Sequence, residues 1–335
     1  YRGVILYVRV VDGVLAKGKK VRFHSTWQDV TVEEVGFLTP KQTLAPALAA
    51  GEVGYLVCGI KDIHQVRVGA TVMETARPLA QALPGWDSGV WMGSAWEEEK
   101  AKEQVVGTDL IISIGGDGTI LRAARIVVPW PIPILGINLG KLGFLTELSP
   151  QEALERVPAF LAGEGWVDER AMLQAELICE NAPKQPLQAL NDVVVARRAM
   201  ARVVYVATSV DGELLTTYKG DGVVVATATG STGYVLAAGG PILHPQSRDM
   251  VLKPLLPHLT LDSALVLPPD TILELEVRTD HQAVVSLDGQ VDMALASGDR
   301  VRVKLSPHQA RFLRSQPPAR FYHTMAQKLG MNRNG

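Results

Sequence analysis

The sharpest chemical signal in the chain is Gly115-Gly116-Asp117-Gly118-Thr119. It lies between an apolar run at 109–114, which reads as a strand, and an apolar, helix-like pattern at 120–128. At a strand-to-helix junction the first N–H groups of the helix are unpaired and the helix dipole is positive. Glycines there let a phosphate approach the backbone without meeting a Cβ. A carboxylate in such a loop repels phosphate. Asp117 is therefore better read as a general base, or as the group that orients a hydroxyl nucleophile or a metal. The competing structural reading is a glycine-rich turn with Asp117 as the helix N-cap.

Four further motifs could carry polar ligands. Thr229-Gly230-Ser231-Thr232-Gly233-Tyr234, followed by Gly239-Gly240-Pro241, suits either a phosphate-bearing ligand at a helix start or a well-capped helix. Asn191-Asp192 could take hydrogen bonds from ribose hydroxyls or read a base or amide edge, or could simply be a turn. Lys219-Gly220-Asp221-Gly222 and Asp288-Gly289-Gln290 read first as hairpin turns. The seven histidines show no metal-ligand spacing, and Cys58 and Cys179 cannot make a structural zinc site by themselves. Trp86, Trp91 and Trp96 read as packing at a domain junction, and Ser231 lacks a nucleophile-elbow context.

The elements that position these motifs change character along the chain. From residue 1 to about 73 the pattern is strand and turn: 4–10, 21–23, 30–37, 53–60 and 66–73, with Asp12-Gly13 as a hairpin signal. Short strands at this spacing predict a small β-barrel. Short helices at 77–83 and 96–105 and a strand at 90–93 are then expected, before the 109–114 strand, the 120–128 helix and a strand at 132–137. That alternation predicts a doubly wound α/β domain. Beyond about 166 strands dominate, at 173–179, 193–195, 203–210, 223–226, 272–278, 283–287 and 301–305, with one helix beginning near Ser231 and a terminal helix at 321–329. The expected fold class is thus α/β plus β. Its domains are 1–75 (barrel), 76–147 (nucleotide-binding α/β, joined by a C-terminal helix at 320–330) and 148–319 (β-rich).

Composition sets the wider bounds. The chain has 335 residues, 47% hydrophobic and 20% charged, with a formal charge of −2. No overall basic field points to nucleic acid or an anionic membrane, and no apolar run is long enough to span a bilayer. Two cysteines suggest no disulfide framework, so a reducing, cytoplasmic setting is expected.

Taken in order, the motifs are far more specific than any one alone. Gly115 to Thr119, Leu121-Arg122, Leu135-Gly136-Ile137-Asn138-Leu139-Gly140, Leu142-Gly143-Phe144-Leu145-Thr146, Asn191-Asp192, Asp221-Gly222, Thr229 to Tyr234 and Asp288-Gly289-Gln290 together resemble the NAD kinase family over about residues 77–330. The resemblance implies an α/β nucleotide domain and a β-rich domain with the active site between them. It implies phosphorylation of the adenosine 2′-hydroxyl of NAD to give NADP, with ATP and a divalent metal such as Mg²⁺, or polyphosphate, as donor. It also implies a homo-oligomer, dimer or tetramer.

Residue by residue, the resemblance makes Asp117 the proton acceptor. Gly116, Gly118 and Thr119 would lie at the nucleotide, and Arg122 would be a basic contact on the following helix. Asn191 and Asp192 match the pair that holds NAD. Arg202, Lys219 and Asp221 fall on binding positions. Thr232, Gly233, Tyr234, Val235, Leu236 and Ala237 match the segment around the NAD adenosine, and Gln290 a C-terminal contact. Gly233 stands where alanine is common, Ala237 where serine is common and Ala228 where proline is usual, so one hydroxyl contact of the family is not expected.

Residues 1–75 resemble a different family, the second, β-barrel domain of LepA-type translational GTPases. Tyr1 to Val4, Val8 to Gly13, Gly36 to Pro40 and Gly51 to Asp62 carry that resemblance. No phosphate-binding G-x-x-x-x-G-K-[ST] occurs, so GTP hydrolysis is not expected. No direct nucleic-acid contact is expected, apart from ribosome contact through the barrel. The join raises a difficulty. The 66–73 strand belongs by resemblance to the barrel, yet the kinase-like part needs a strand before its first helix. The sequence therefore predicts either a weakened kinase domain or a strand that crosses over. Two other readings compete. Lipid kinases of the diacylglycerol type, and variant phosphofructokinases, share the glycine-rich loop but not the later motifs. An inactive fusion fragment acting as a translation-factor-like interaction module would form no NADP.

Overall fold

The computed structural model describes residues 5–24, 26–38, 42–60, 71–76, 98–140, 143–179, 183, 185–198 and 202–329. The chain divides into two compact units, Tyr1–Gly93 and Ser94–Gly335. The expected helix at 77–83, the strand at 90–93 and Trp86, Trp91 and Trp96 lie outside the described residues, as does most of 66–73.

The first unit is built of strands: β1 (Ile5–Arg9), β2 (Val14–Ala16), β3 (Lys20–Phe23), β4 (Asp29–Thr31), β5 (Glu34–Leu38), β6 (Gln42–Leu44), β7 (Ala47–Ala49), β8 (Val53–Val57) and β9 (Val72–Glu74). They form three antiparallel groups, β1-β8-β5-β6, β2-β7 and β4-β3-β9. Alternation drives burial: in β3, Val21 and Phe23 turn inward between the outward Lys20 and Arg22. They join Val35, Leu48, Leu56 and Ile60 in one apolar cluster. Two expectations change. The 30–37 run is not one strand; it breaks at Val32-Glu33, sending β4 to β3 and β5 to β8. Asp12-Gly13 does form a turn, with Gly13 at φ 79° and its N–H bonded to Asp12 Oδ1. The strands on either side of it, however, pair with β8 and β7 rather than with each other. The described end of the disputed strand, β9, pairs with β3 and so stays in this unit.

The second unit runs α1 (Glu98–Val105), β10 (Ile111–Ile114), α2 (Asp117–Val127), β11 (Pro133–Ile137), α3 (Pro150–Leu161), β12 (Trp166–Ile178), β13 (Leu187–Ala189), β14 (Asp192–Arg197), β15 (Val204–Val210), β16 (Glu213–Gly220), β17 (Gly222–Ala226), α4 (Tyr234–Ala237), β18 (Met250–Leu255), β19 (Leu265–Leu267), β20 (Leu273–Arg278), β21 (Ala283–Leu287), β22 (Val291–Leu295), β23 (Arg300–Arg314) and α5 (Arg320–Lys328). One sheet follows the order β10-β11-β23-β20-β15-β16, with β12 and β13 attached beside β23. Its β10-β11 and β11-β23 pairs are parallel, and the rest is antiparallel. The other sheet is antiparallel, β19-β18-β17-β14-β21-β22. The two sheets share a core of Leu173, Val206 and Leu275 from one and Val193, Val225 and Val285 from the other.

At the parallel edge, helices cover both faces. On one side Ile120, Ala124 and Val127 of α2 pack with Ile134, Phe312 and with Ala101 and Val105 of α1. On the other, Phe160 of α3 packs on Leu135 and Ile137. This is the α/β part expected from the alternating pattern, and β23 runs without interruption from it into the β-rich part. Among the described residues β10 has one pairing partner, β11, and Ile112 and Ile114 on it are exposed.

Sequence reading missed α3, although Ser149 and Glu152 form a reciprocal capping box with Pro150 at its first turn. The helix expected to begin near Ser231 is short. That segment is a 3-10 turn at Gly230–Thr232 followed by the single turn α4. The 301–305 strand is one-third of the fifteen-residue β23.

Candidate active site

Asp117 is the first residue of α2, and Gly116 rather than Asp117 is the N-cap. With its backbone committed to the helix, the Asp117 side chain turns toward the loop after β11. Oδ2 accepts the Phe144 N–H at 2.9 Å and Oδ1 accepts the Leu145 N–H at 3.1 Å. That loop is itself braced. Thr146 Oγ1 accepts the Gly143 N–H at 2.9 Å, and Asn138 Oδ1 accepts the Gly140 N–H at 2.7 Å. Gly143 is required by space: a Cβ there would fall 1.8 Å from Asp117 Oδ1. Each carboxylate oxygen has two lone pairs, so one on each remains for a substrate hydroxyl. The two N–H donors aim the carboxylate, so its remaining lone pairs point toward the open side of the helix N-terminus.

Asp288 organises the second half of the site. It sits at φ 52° in the turn between β21 and β22, followed by Gly289 at φ 62°. Its Oδ1 accepts the N–H groups of Asn191 (2.7 Å) and Asp192 (3.1 Å), and its Oδ2 that of Leu190 (2.9 Å). This fixes the backbone of the Asn191-Asp192 pair as it enters β14. Asn191 Oδ1 is buried without a hydrogen-bond partner. Burial, and then the neighbouring Asp288 charge, push the Asp192 carboxyl up to about 7. The Gly230 turn lies against this pair. A Cβ on Gly230 would meet the Asn191 carbonyl oxygen at 2.0 Å, while the Thr227 hydroxyl donates to the Leu190 carbonyl at 2.6 Å.

The two halves meet at Gln290. Its Nε2 donates to the Gly118 carbonyl at 2.8 Å, joining the β21–β22 turn to the first turn of α2. Asp117, Gly118, Asn191, Asp192, Gly230 and Gln290 are therefore linked in one neighbourhood, with Gly116 and Gly118 exposed at its surface.

Other expected site residues sit elsewhere or face otherwise. Val235 is fully buried, packed with Val194, Val224 and Val251, so its side chain is core. The Thr232 hydroxyl donates to the Thr229 carbonyl at 3.1 Å. Tyr234 is exposed, and Leu236 and Ala237 complete α4. Asp221 forms a two-point ion pair with Arg197, at 2.6 and 3.1 Å, and Lys219 stands 5.6 Å from the Tyr205 ring centre. Arg202 is exposed and acts electrostatically on Asp280. Arg122 lies half-buried on α2, and Thr119 packs its side chain against Gly115.

Four residues that shape the site carried no role in the sequence reading. Phe144 supplies an N–H to Asp117. Lys328 of α5 places its ammonium 4.0 Å from the Phe144 ring centre and interacts with the Asp117 charge. Arg125 and Glu98 bind each other beside Gln290. The apolar spacing of α2 would have shown Arg125 as its one late cation; nothing local marks Lys328.

No group of three or more acidic, histidine or cysteine side chains able to hold a metal occurs among the described residues. Asp117 is the carboxylate at the glycine-rich loop. This donor set suits a divalent ion carried by nucleotide phosphates, which needs only one or two protein carboxylates.

An α/β part with a glycine-rich strand-to-helix turn, hydrogen-bonded through Gln290 to the turn that braces Asn191-Asp192 in a β-sandwich, has the build of a nucleotide-binding enzyme. Comparison with known proteins narrows this. Residues 62–165 match the model of the ATP-NAD kinase N-terminal domain, and 190–315 that of the ATP-NAD kinase C-terminal domain. Residues 3–73 match elongation factor Tu domain 2. An NAD kinase of Dehalococcoides mccartyi is 47% identical over 260 residues, 77% of this chain and 92% of the relative. One from Chloroflexus aggregans is 41% identical over 71% of this chain and 86% of its own length. Among solved structures, an NAD kinase from Archaeoglobus fulgidus in complex with ATP aligns with TM-score 0.57 and 31% identity, over 68% of this chain and 85% of that one. Yeast NADH kinase in complex with NADH aligns with TM-score 0.65 and 26% identity, over 70% of each chain. The chain belongs to the NAD kinase family, with a translation-factor-type β domain at its N-terminal end.

Proposed function

We propose that the protein transfers the terminal phosphoryl group of ATP, or of polyphosphate, to the adenosine 2′-hydroxyl of NAD, with Asp117 as general base. The observation that carries this reading is the hydrogen-bonded junction itself. Asp117 is pinned at a helix N-terminus by the Phe144 and Leu145 N–H groups, and the same helix turn is tied through Gln290 to the turn that holds Asn191-Asp192. A ribose hydroxyl is a poor nucleophile at neutral pH, so transfer needs a placed acceptor for its proton and an aligned phosphoryl group. The 2′-oxygen bonds to the terminal phosphorus as the bond from phosphorus to the bridging oxygen breaks. The hydroxyl proton goes to Asp117, and ADP leaves with the electron pair. Asn191 and Asp192 hold the ribose, and the exposed Gly116 and Gly118 let phosphate oxygens approach the backbone at the start of α2. A divalent ion such as Mg²⁺, arriving with the nucleotide, supplies charge neutralisation on the phosphates.

Asp117→Asn should lower turnover by about 10²–10⁴-fold, with smaller effects on NAD binding. The assay is NADP formation from NAD, ATP and Mg²⁺. No NADP from the wild-type chain would sink the kinase reading, and wild-type turnover in Asp117→Asn would sink the base assignment.

Self-assembly as a dimer or tetramer is part of the reading. It is supported by exposed Leu256, Leu259, Leu261 and Val266, which give the β18–β19 hairpin an uncovered apolar surface. No described helix is long and apolar enough to cross a membrane. Ribosome contact through the N-terminal unit rests on its translation-factor resemblance.

A further inference from the structure

We propose that Arg125 and Gln290 are positioning residues: together they clasp the start of α2 to the β21–β22 turn and so set Asp117 in register with Asn191-Asp192. The proposal rests on the kinase reading above and gives Gln290 a role different from the direct nucleotide contact implied by family resemblance.

The clasp begins at Glu98 on α1. Its carboxylate takes Arg125 Nε at 3.0 Å and Nη2 at 2.8 Å, a two-point pair that fixes the plane of the guanidinium. Arg125 is nine-tenths buried, so this orientation is enforced by packing as well as charge. One donor edge is left, and Nη1 gives it to Gln290 Oε1 at 3.2 Å. The other end of the same amide donates to the Gly118 carbonyl. Gly118 and Arg125 are seven residues apart, two turns along one face of α2. Helical side chains lean toward the helix N-terminus, so Arg125 reaches back toward the turn that Gly118 begins. A single Gln290 amide thus spans α2 lengthwise. The arrangement needs both an acceptor and a donor at that position, which glutamine provides and glutamate does not.

Two residues before Gln290, Asp288 holds the N–H groups of Leu190, Asn191 and Asp192. The three-residue turn is short and its first two residues are held at positive φ, so its two ends move as one piece. One end fixes the helix that carries the base and the other fixes the ribose-binding pair. Burial pushes the Asp288 carboxyl above its usual range, and the three N–H donors and then Arg125 oppose that rise.

The test compares Arg125→Met, Gln290→Leu and Gln290→Glu with the wild-type chain in NADP formation, alongside thermal melting and a double-mutant cycle. Misregistering base and hydroxyl by a few tenths of an ångström should lower kcat by about tenfold. Arg125→Met and Gln290→Leu should each do so, and their double mutant should cost little more than either one. Gln290→Glu keeps the Arg125 contact but sets a carboxylate against the Gly118 carbonyl, and should fail to rescue kcat. Additive losses, a raised KM for NAD with unchanged kcat in Gln290→Leu alone, or a lowered melting temperature with wild-type kcat in the folded protein would each overturn the clasp. Absence of NADP from the wild-type chain would instead overturn the underlying kinase reading.

Discussion

Gly143→Ala is the substitution whose consequence follows most directly from the geometry. Gly143 is not in a left-handed conformation, so alanine is not strained there by its backbone; the conflict is purely one of space. The added Cβ would lie 1.8 Å from Asp117 Oδ1 and 2.6 Å from its Cγ. A carbon and an oxygen settle near about 3.3 Å, so carboxylate and loop must separate by roughly 1.5 Å. That movement strains the hydrogen bonds from Phe144 and Leu145, which aim the carboxylate. A misplacement of about 1 Å at a reacting group costs on the order of 10²-fold in rate, so kcat should fall by about 10²–10³-fold. The same loop buries Leu145 and Thr146, so some fall in melting temperature accompanies the loss of rate, and kcat is compared in protein that is folded at the assay temperature. The assay is initial-rate NADP formation over a range of NAD concentrations, with melting followed in parallel. A folded Gly143→Ala chain with kcat within about threefold of wild type would refute the argument that Asp117 must keep this position to act.

Two other outcomes follow from the second half of the site. Asp192 titrates near 7 in the folded protein because burial and then Asp288 disfavour its charge. Between the ordinary carboxylate range and 7 the folded state holds a proton that the unfolded chain releases, so this group makes stability fall as pH rises through that window, by up to about 4 kcal/mol. Thermal melts from acidic to neutral pH should show that slope and Asp192→Asn should flatten it; the same slope in both proteins would contradict the assignment. Gly230→Ala would drive a Cβ to within 2.0 Å of the Asn191 carbonyl, displacing the Asn191-Asp192 backbone. It should raise the KM for NAD by tenfold or more, an effect of about 1.4 kcal/mol, and an unchanged KM in folded protein would show that this turn does not hold the substrate-binding pair.

Local chemistry was legible in the sequence wherever a short stretch fixes its own backbone. The glycine-rich turn before α2, the Asp288-Gly289 turn at positive φ and the alternation that buries Val21 and Phe23 all follow from constraints spanning a few residues. The Ser149–Glu152 capping box that starts α3 belongs to the same class. The order of motifs also carried the family, because each loop must supply its own residue types. What sequence could not supply was partnership across distance. Nothing near Gln290 says that its amide ends on Gly118, 172 residues away, or that Lys328 stands over Phe144. Val235 reads as part of a ligand-facing segment until α4 packs it onto Val194, Val224 and Val251 of a single sheet. Residue types and local φ requirements set which groups can do chemistry. Only the packing of α2 against the β21–β22 turn decides which of them meet, because that pairing is selected by the shape of two finished surfaces and by no run of neighbouring residues.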